Sequence, residues 1–383
     1  MKKFIFTFSL IVFLFSCKSK EQEDNCLTLK VELKEMEVSF SDIFNRLELI
    51  PLETNDNSLI KRMTDLYMIN DTLFVFDRMS RSLFTFDALT GKHLNTLMKV
   101  GQGPGEYIYI SDVIIDTIEH TIKLLHPMPS AIYTYSYSGQ FIERIDLPSM
   151  PPNAYSKFME FDNETYIVWA FVDESRYKMG NISFISKKTH QILNSFWKPV
   201  GIVQYRASFP YWKYNDITYF SMDITNKVYQ ITKDDYHLIY KWDFGKYNVD
   251  KYRESEAFKV NDKNRNEKNE KIIQDFSTRD DLYYFHKKIE NKAYYYAQIV
   301  LKNKIAPHIF YHKETNNYHY FLKTTEGISF ATYILNDDYI IGDLILDYKD
   351  DLLKSNLLSD KDRLILEEMK EDDNPILIKL FFK

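Results

Sequence analysis

The chain has 383 residues, of which 45% are hydrophobic, 16% aromatic and 27% charged. That is enough apolar material for a large core and excludes wholesale disorder, and only 10 glycines exclude collagen-like or Gly-rich architectures. The net charge of −6 supplies no general attraction to phosphate backbones, so nucleic acid is not an expected partner.

In chain order, Lys2 and Lys3 precede a short apolar run from Phe4 to Phe15, followed by Ser16 and Cys17. This order describes a secretory signal too short to span a bilayer. The run Leu14-Phe15-Ser16-Cys17 resembles a bacterial lipobox, which implies cleavage after residue 16 and a lipid-bearing Cys17. The expected address is therefore export, with a lipid anchor at the outer membrane. Residues 17–46 read as tether and linker. With Cys17 lipidated, Cys26 has no partner for an internal disulfide.

From residue 47 onward short β-rich runs alternate with turns. Leu66–Ile69, Leu73–Asp77, Leu83–Phe86 and Lys92–Leu97 make four strands in about thirty residues. The order recurs in Val113–Asp116, Ile122–Leu125, Ile132–Tyr135 and Phe141–Ile145, with Thr90-Gly91-Lys92 mapping onto Ser138-Gly139-Gln140. Four strands per 40–50 residues is a propeller-blade period. Later units are more degenerate, starting near Tyr166, Ile217, Ala293 and Ile328. A charged, helix-forming stretch at 250–271, within an insertion at about 246–282, separates the fourth from the fifth and is read as a solvated helix or loop able to act as a lid. Ser359 is a candidate N-cap for a short helix. Pro375–Phe382 and Leu47–Leu52 are strands without sequence neighbours, expected to pair and close the ring.

Leu49-Ile-Pro-Leu-Glu53, the Phe86-Asp…Thr-Gly-Lys92 unit, Gly101-Gln-Gly-Pro-Gly-Glu-Tyr107 and Asp373-Asn-Pro-Ile-Leu-Ile-Lys379 together resemble the six-bladed β-propeller lipoproteins of Gram-negative anaerobes. The resemblance implies an all-β, six-bladed propeller over residues 47–383 and export; it implies no reaction and no catalytic residues.

Chemistry-bearing motifs are sparse. The Gly101–Glu106 loop lacks the third glycine of a dinucleotide fingerprint and the Lys-Ser/Thr of a P-loop, so it is read as a rim loop open to ligand contact through Gly103, Glu106 and Tyr107. A strand-like context spreads His308 and His312 too far for one metal; His312 and His319 could meet across the 313–317 turn but have no evident third ligand, and the three are read as surface hairpin histidines. Residues 262–266 mimic the start of a calcium loop but lack its glycine and its bidentate glutamate. No cofactor or metal is expected. Phe209-Pro-Tyr-Trp-Lys-Tyr214 concentrates four rings in six residues, and Tyr211 and Trp212 are candidate rim contacts against the alternative of inter-blade packing. The functional expectation is a non-enzymatic envelope binding module for a glycan, peptide or protein. The alternative is a hydrolase or lyase with acidic residues in the central funnel.

Overall fold

The computed structural model describes residues 26–148, 155–170, 181–197, 210–258, 264–302 and 304–383. The signal, Cys17, Phe209 and positions 262–263 of the calcium-loop mimic lie outside them. β1 (Leu27–Lys30), helix α1 (Phe40–Ile43) and β2 (Phe44–Pro51) lead into four-stranded units. Blade 1 is β3 (Met63–Ile69), β4 (Thr72–Asp77), β5 (Ser82–Asp87) and β6 (His93–Leu97). Blade 2 is β7 (Asp112–Asp116), β8 (Thr121–Pro127), β9 (Ser130–Ser136) and β10 (Phe141–Asp146). Blade 3 is β11 (Tyr155–Asp162), β12 (Thr165–Ala170), β13 (Ile182–Ser186) and β14 (Ile192–Phe196). Blade 4 is β15 (Tyr211–Tyr214), β16 (Ile217–Phe220), β17 (Lys227–Ile231) and β18 (Tyr236–Asp243), followed by helices α2 (Val249–Arg253) and α3 (Arg265–Thr278). Blade 5 is β19 (Tyr283–Glu290), β20 (Tyr294–Leu301), β21 (Lys304–His312) and β22 (Tyr318–Phe321). Blade 6 starts with β23 (Phe330–Leu335) and β24 (Tyr339–Leu344), passes through α4 (Lys349–Lys354) and α5 (Asp360–Glu368), and ends in β25 (Ile376–Phe382).

Blade 6 is completed by β2, giving the order β2-β25-β24-β23 with Leu47 opposite Leu380 and Leu49 opposite Ile378. The ring is therefore closed by strands from both ends of the chain, as the two orphan strands predict. The first strand of each blade is innermost; β3 meets β23, β7 meets β11 and β19 meets β23 around the axis. Apolar and aromatic residues on the two faces of each sheet fill the seams between blades. Trp169, for example, lies against Phe220 of the next blade, with ring centroids 5.4 Å apart.

The folded body starts earlier than residue 47. β1 adds a fifth, parallel strand to the outside of blade 4, with Leu29 opposite Trp242. The chain then runs past blade 5, where Met36 N–H donates to Tyr320 O, and reaches blade 6. Leu29, Val31, Val38, Phe40 and Ile43 are buried along the way. Residues 27–46 form a strap over three blades rather than a linker, because their apolar side chains cover outer edges that would otherwise stand open.

The strand alternation creates two unlike rims. Connectors from first to second and from third to fourth strands run from two residues (70–71) to five (88–92). We call this the turn rim. The opposite, loop rim carries longer connectors, including residues 52–62, 98–111, 244–282 and 345–375.

Candidate functional site

The axis holds a layer of charge built from one structural position repeated around the ring. Asp65 lies opposite Phe76, Asp112 opposite Leu125, Lys157 opposite Trp169 and Lys287 opposite Gln298. Each partner is the fifth residue of its blade's second strand, near the loop rim. In β3, β11 and β19 the register shifts immediately before the charged residue, at Met63/Asp65, Tyr155/Lys157 and Phe285/Lys287. A bulge inserts an extra residue and re-aims the next side chain, which turns these charges toward the channel.

Lys157 Nζ donates to Asp65 Oδ2 at 3.0 Å and to Asp112 Oδ1 at 2.8 Å, while Phe158 N–H donates to Asp112 Oδ2 at 2.9 Å. Blades 1 and 3 are not neighbours, so the Lys157–Asp65 bond crosses the channel. Burial raises the Asp112 carboxyl to about 6 against the pull of Lys157, with Asp65 adding to the rise. Burial works against the Lys157 ammonium, but Asp112 and Asp65 more than offset it and hold it above its ordinary range. Lys287 has weaker compensation. Burial pulls it down to about 7, with Asp65 favouring its charge and Lys157 opposing it. Beside this layer Tyr333 donates to Met63 O at 3.1 Å. Burial pushes its phenol up, aided by Asp343 and Asp65 nearby. Asp343 is itself raised to about 7 by burial.

The sequence-derived rim residues are placed differently. Glu106 folds back on its own loop, accepting from Gly103 N–H at 2.8 Å. A Cβ on Gly101 would stand 1.9 Å from the Glu106 carboxylate, so a side chain there would displace Glu106 from its place in the loop. Tyr107 is buried; its hydroxyl donates to Arg81 O at 3.0 Å and its ring packs edge-on against Tyr133 and Tyr135. Arg81 in turn donates to Ile108 O at 3.0 Å. These bonds pin residues 98–111 to the 78–81 turn. On β15, Tyr211 donates to Val168 O of blade 3 at 3.2 Å. Trp212 is buried and stacks on Tyr219 at 5.4 Å. Tyr107, Tyr211 and Trp212 thus join seams, and the five residues are not brought together.

Two further expectations change. His308 is not a surface histidine: it is fully buried, bonds Tyr296 Oη through Nδ1 at 2.8 Å, and burial lowers it to about 3. The charged insertion is docked rather than free. Val249, Tyr252, Phe258, Ile272 and Phe276 are buried, and Tyr252 donates to Asp275 Oδ2 at 2.6 Å. Ile272 and Phe276 are four apart, so one face of α3 is apolar despite the charge around it. Among the described residues no group of three or more His, Cys, Asp or Glu side chains is placed to hold a metal ion, and no helix is long and apolar enough to cross a membrane.

The sequence matches the profile of a domain of unknown function, DUF4934, over residues 26–381. The chain belongs to the DUF4934 family. That span starts beside β1, in keeping with the strap being part of the domain. A search of curated protein sequences returned no match. Among solved structures, a “Putative exported protein” from Bacteroides fragilis is 17% identical, with a TM-score of 0.73 over 93% of this chain and 99% of that one. A DUF4221-family member from Bacteroides vulgatus is 11% identical, with a TM-score of 0.54 over 91% and 99%. At these identities the likeness concerns the fold, a six-bladed β-propeller.

Proposed function

We propose that this DUF4934 protein is an exported lipoprotein that captures a peptide or protein on its loop rim without consuming it. The observation that carries the reading is a group of large apolar side chains that meet solvent together on one rim, whereas the turn rim of the same blades exposes Leu89 and Ile118 in separate turns. Leu59 is 51% exposed, Met79 62%, Ile108 41%, Tyr109 60% and Met128 60%. All five lie on loop-rim connectors of blades 1 and 2 or of the strand leading into them. Exposed apolar side chains gathered on one face mark interaction sites, and flexible methionines suit varied partner surfaces. Of the partner classes expected from sequence, a peptide or protein suits such a face better than a glycan. The pinned 98–111 loop presets it, which lowers the ordering cost of binding. Export is supported by the signal-like N-terminus and by the name of the similar B. fragilis protein.

The test is photo-crosslinking in intact cells from a probe at Tyr109 or, as control, at Ile118 in the turn-rim connector 117–120. A discrete adduct from Tyr109 alone is expected. Adducts from Ile118 alone, or equally from both, would refute the assignment. One observation favours the second reading, a funnel hydrolase or lyase: Lys287 occupies the axial charge layer at the position matching Asp65 and Lys157, and burial lowers its ammonium to about 7, a range suited to proton transfer. Destruction of the captured partner by the wild type, and its survival with Lys287→Met, would establish that reading instead.

A further inference from the structure

A cleft of about 460 Å³ opens on the turn rim between blades 1 and 2. Its walls include Asn70, Thr72, Phe74, Thr85, Asn95 and Tyr137. Its origin can be traced to one position of the repeat, which carries a ring in blades 3 and 5 and Thr134, Gln230 or Lys379 in blades 2, 4 and 6. Thr85 stands opposite Phe74, the third residue of β4. At the matching place blade 3 has Phe184, opposite Ile167, and blade 5 has Phe310, opposite Tyr296. Those rings fill their seams: Phe184 lies 5.0 Å from Phe161, and Phe310 stacks on Phe321 at 5.9 Å. Thr85 has no ring to offer, and the seam stays open.

The lining has a definite chemistry. No acidic, basic or histidine side chain is among the residues that form it. Thr85 Oγ1 is committed to Asn95 O at 3.1 Å, and the Tyr137 hydroxyl to Asp116 O at 3.0 Å. The Asn70 and Asn95 amides and the Thr72 hydroxyl make no hydrogen bond with the described residues. Asn70 is held at the cleft mouth by a left-handed turn, φ 51°. Each free amide offers two donors and an acceptor, and the hydroxyl offers both roles. The Tyr137 ring, 5.4 Å from Phe74, supplies an aromatic wall. Uncharged donors and acceptors beside aromatic carbon match a ligand that alternates hydroxyl groups with C–H faces. The volume falls in the range of small-molecule sites. We infer that this cleft is a binding site for a neutral saccharide ring, a sugar unit without carboxylate, phosphate or amine.

The cleft is on the rim opposite the proposed partner face, so neither site's test decides the other. The experiment is saturation-transfer NMR on the full chain, purified in a detergent without a sugar headgroup. Glucose, galactose, mannose and N-acetylglucosamine are the probes, with glucuronate as the charged comparison. At least one neutral sugar should show transfer, and glucuronate at least fivefold less. Thr85→Phe restores the ring that blades 3 and 5 carry, so it should cut the signal at least tenfold while the melting temperature holds. Asn95→Ala removes the amide without filling the cleft; it should also cut the signal, and it decides the matter if Thr85→Phe misfolds. Absence of transfer from all four neutral sugars, equal transfer from glucuronate, or a signal that persists in the correctly folded variants would overturn the assignment.

Discussion

Lys157 shows at the residue scale how the axis is held. Its ammonium joins carboxylates from two other blades, and all three side chains are nearly out of solvent. Removing one partner of a buried ion cluster strands the other charges, which costs about 3–5 kcal/mol, whereas replacing the whole cluster with apolar residues is often neutral. Lys157→Met should therefore lower stability by about that amount in urea unfolding, and Asp65→Leu/Asp112→Leu/Lys157→Met should recover most of the loss. A single variant as stable as wild type would show that the triad contributes nothing. Lys287 gives a pH signature. Its ammonium is pulled from the ordinary lysine range to about 7, so between these limits the unfolded chain binds the proton more tightly than the folded one. Stability should rise as pH climbs from 7 toward 10. Lys288, also lowered to about 7 by burial, adds to the same slope. In Lys287→Met the slope should fall to about half that of wild type, as two similar lysines become one; melting temperatures at pH 7 and 9.5 are the measurement, and an unchanged slope would remove Lys287 from the explanation.

Elements differ in how legible they are in the sequence. The β3–β6 and β7–β10 hairpins are plain because turn residues such as Asp71 and Gly91 punctuate period-two apolar runs. β25 and β2 are legible for another reason: each is a strong strand with no neighbour in the chain. The charge layer is not, since Asp65, Asp112, Lys157 and Lys287 are separated by tens of residues and look like ordinary strand-edge polar residues until the ring brings them together, three of them just after a bulge. The strap is only half legible: Leu27-Thr-Leu-Lys-Val-Glu-Leu33 alternates as a strand does, but it stands alone beside the tether. Its partners, such as Trp242 and Tyr320, belong to distant blades, so nothing local says where it docks. These two kinds of strand should also respond differently to truncation. Leu380 in β25 is fully buried between β2 and β24. Leu380→Ala should cost about 2–5 kcal/mol in global unfolding. Leu29 is equally buried, but it sits in a strand attached by one edge. Leu29→Ala should act chiefly through local release of the strap, read as faster amide exchange over 27–38 with a smaller change in the global midpoint. Equal midpoint losses in both variants would mean that strap and ring unfold as one unit.

For the whole molecule, the direction of β1 links anchoring to the binding face. β1 runs parallel to β18, which climbs from the turn rim to the loop rim. The chain therefore approaches blade 4 from the turn-rim side. Nine residues lie between the proposed lipid-bearing Cys17 and Leu27, and the ten steps reach at most about 36 Å when extended. A membrane holding that lipid on the turn-rim side, from which the chain enters, would leave the loop rim and its exposed Met79, Tyr109 and Met128 facing outward. The anchor and the partner face would thus occupy opposite ends of the propeller, and a captured partner would not compete with the membrane for space. If Cys17 carries the proposed lipid, Cys17→Ala should shift the protein from the membrane pellet to the soluble fraction, because acyl chains at about 0.8 kcal/mol per buried CH₂ would supply the attachment. The same variant should still form the Tyr109 adduct when mixed with membranes carrying the partner, since the loop rim does not depend on the lipid. Retention of Cys17→Ala in the pellet would remove lipid from the account. Release with loss of the adduct would instead mean that the anchor, and not the rim alone, brings the partner into reach.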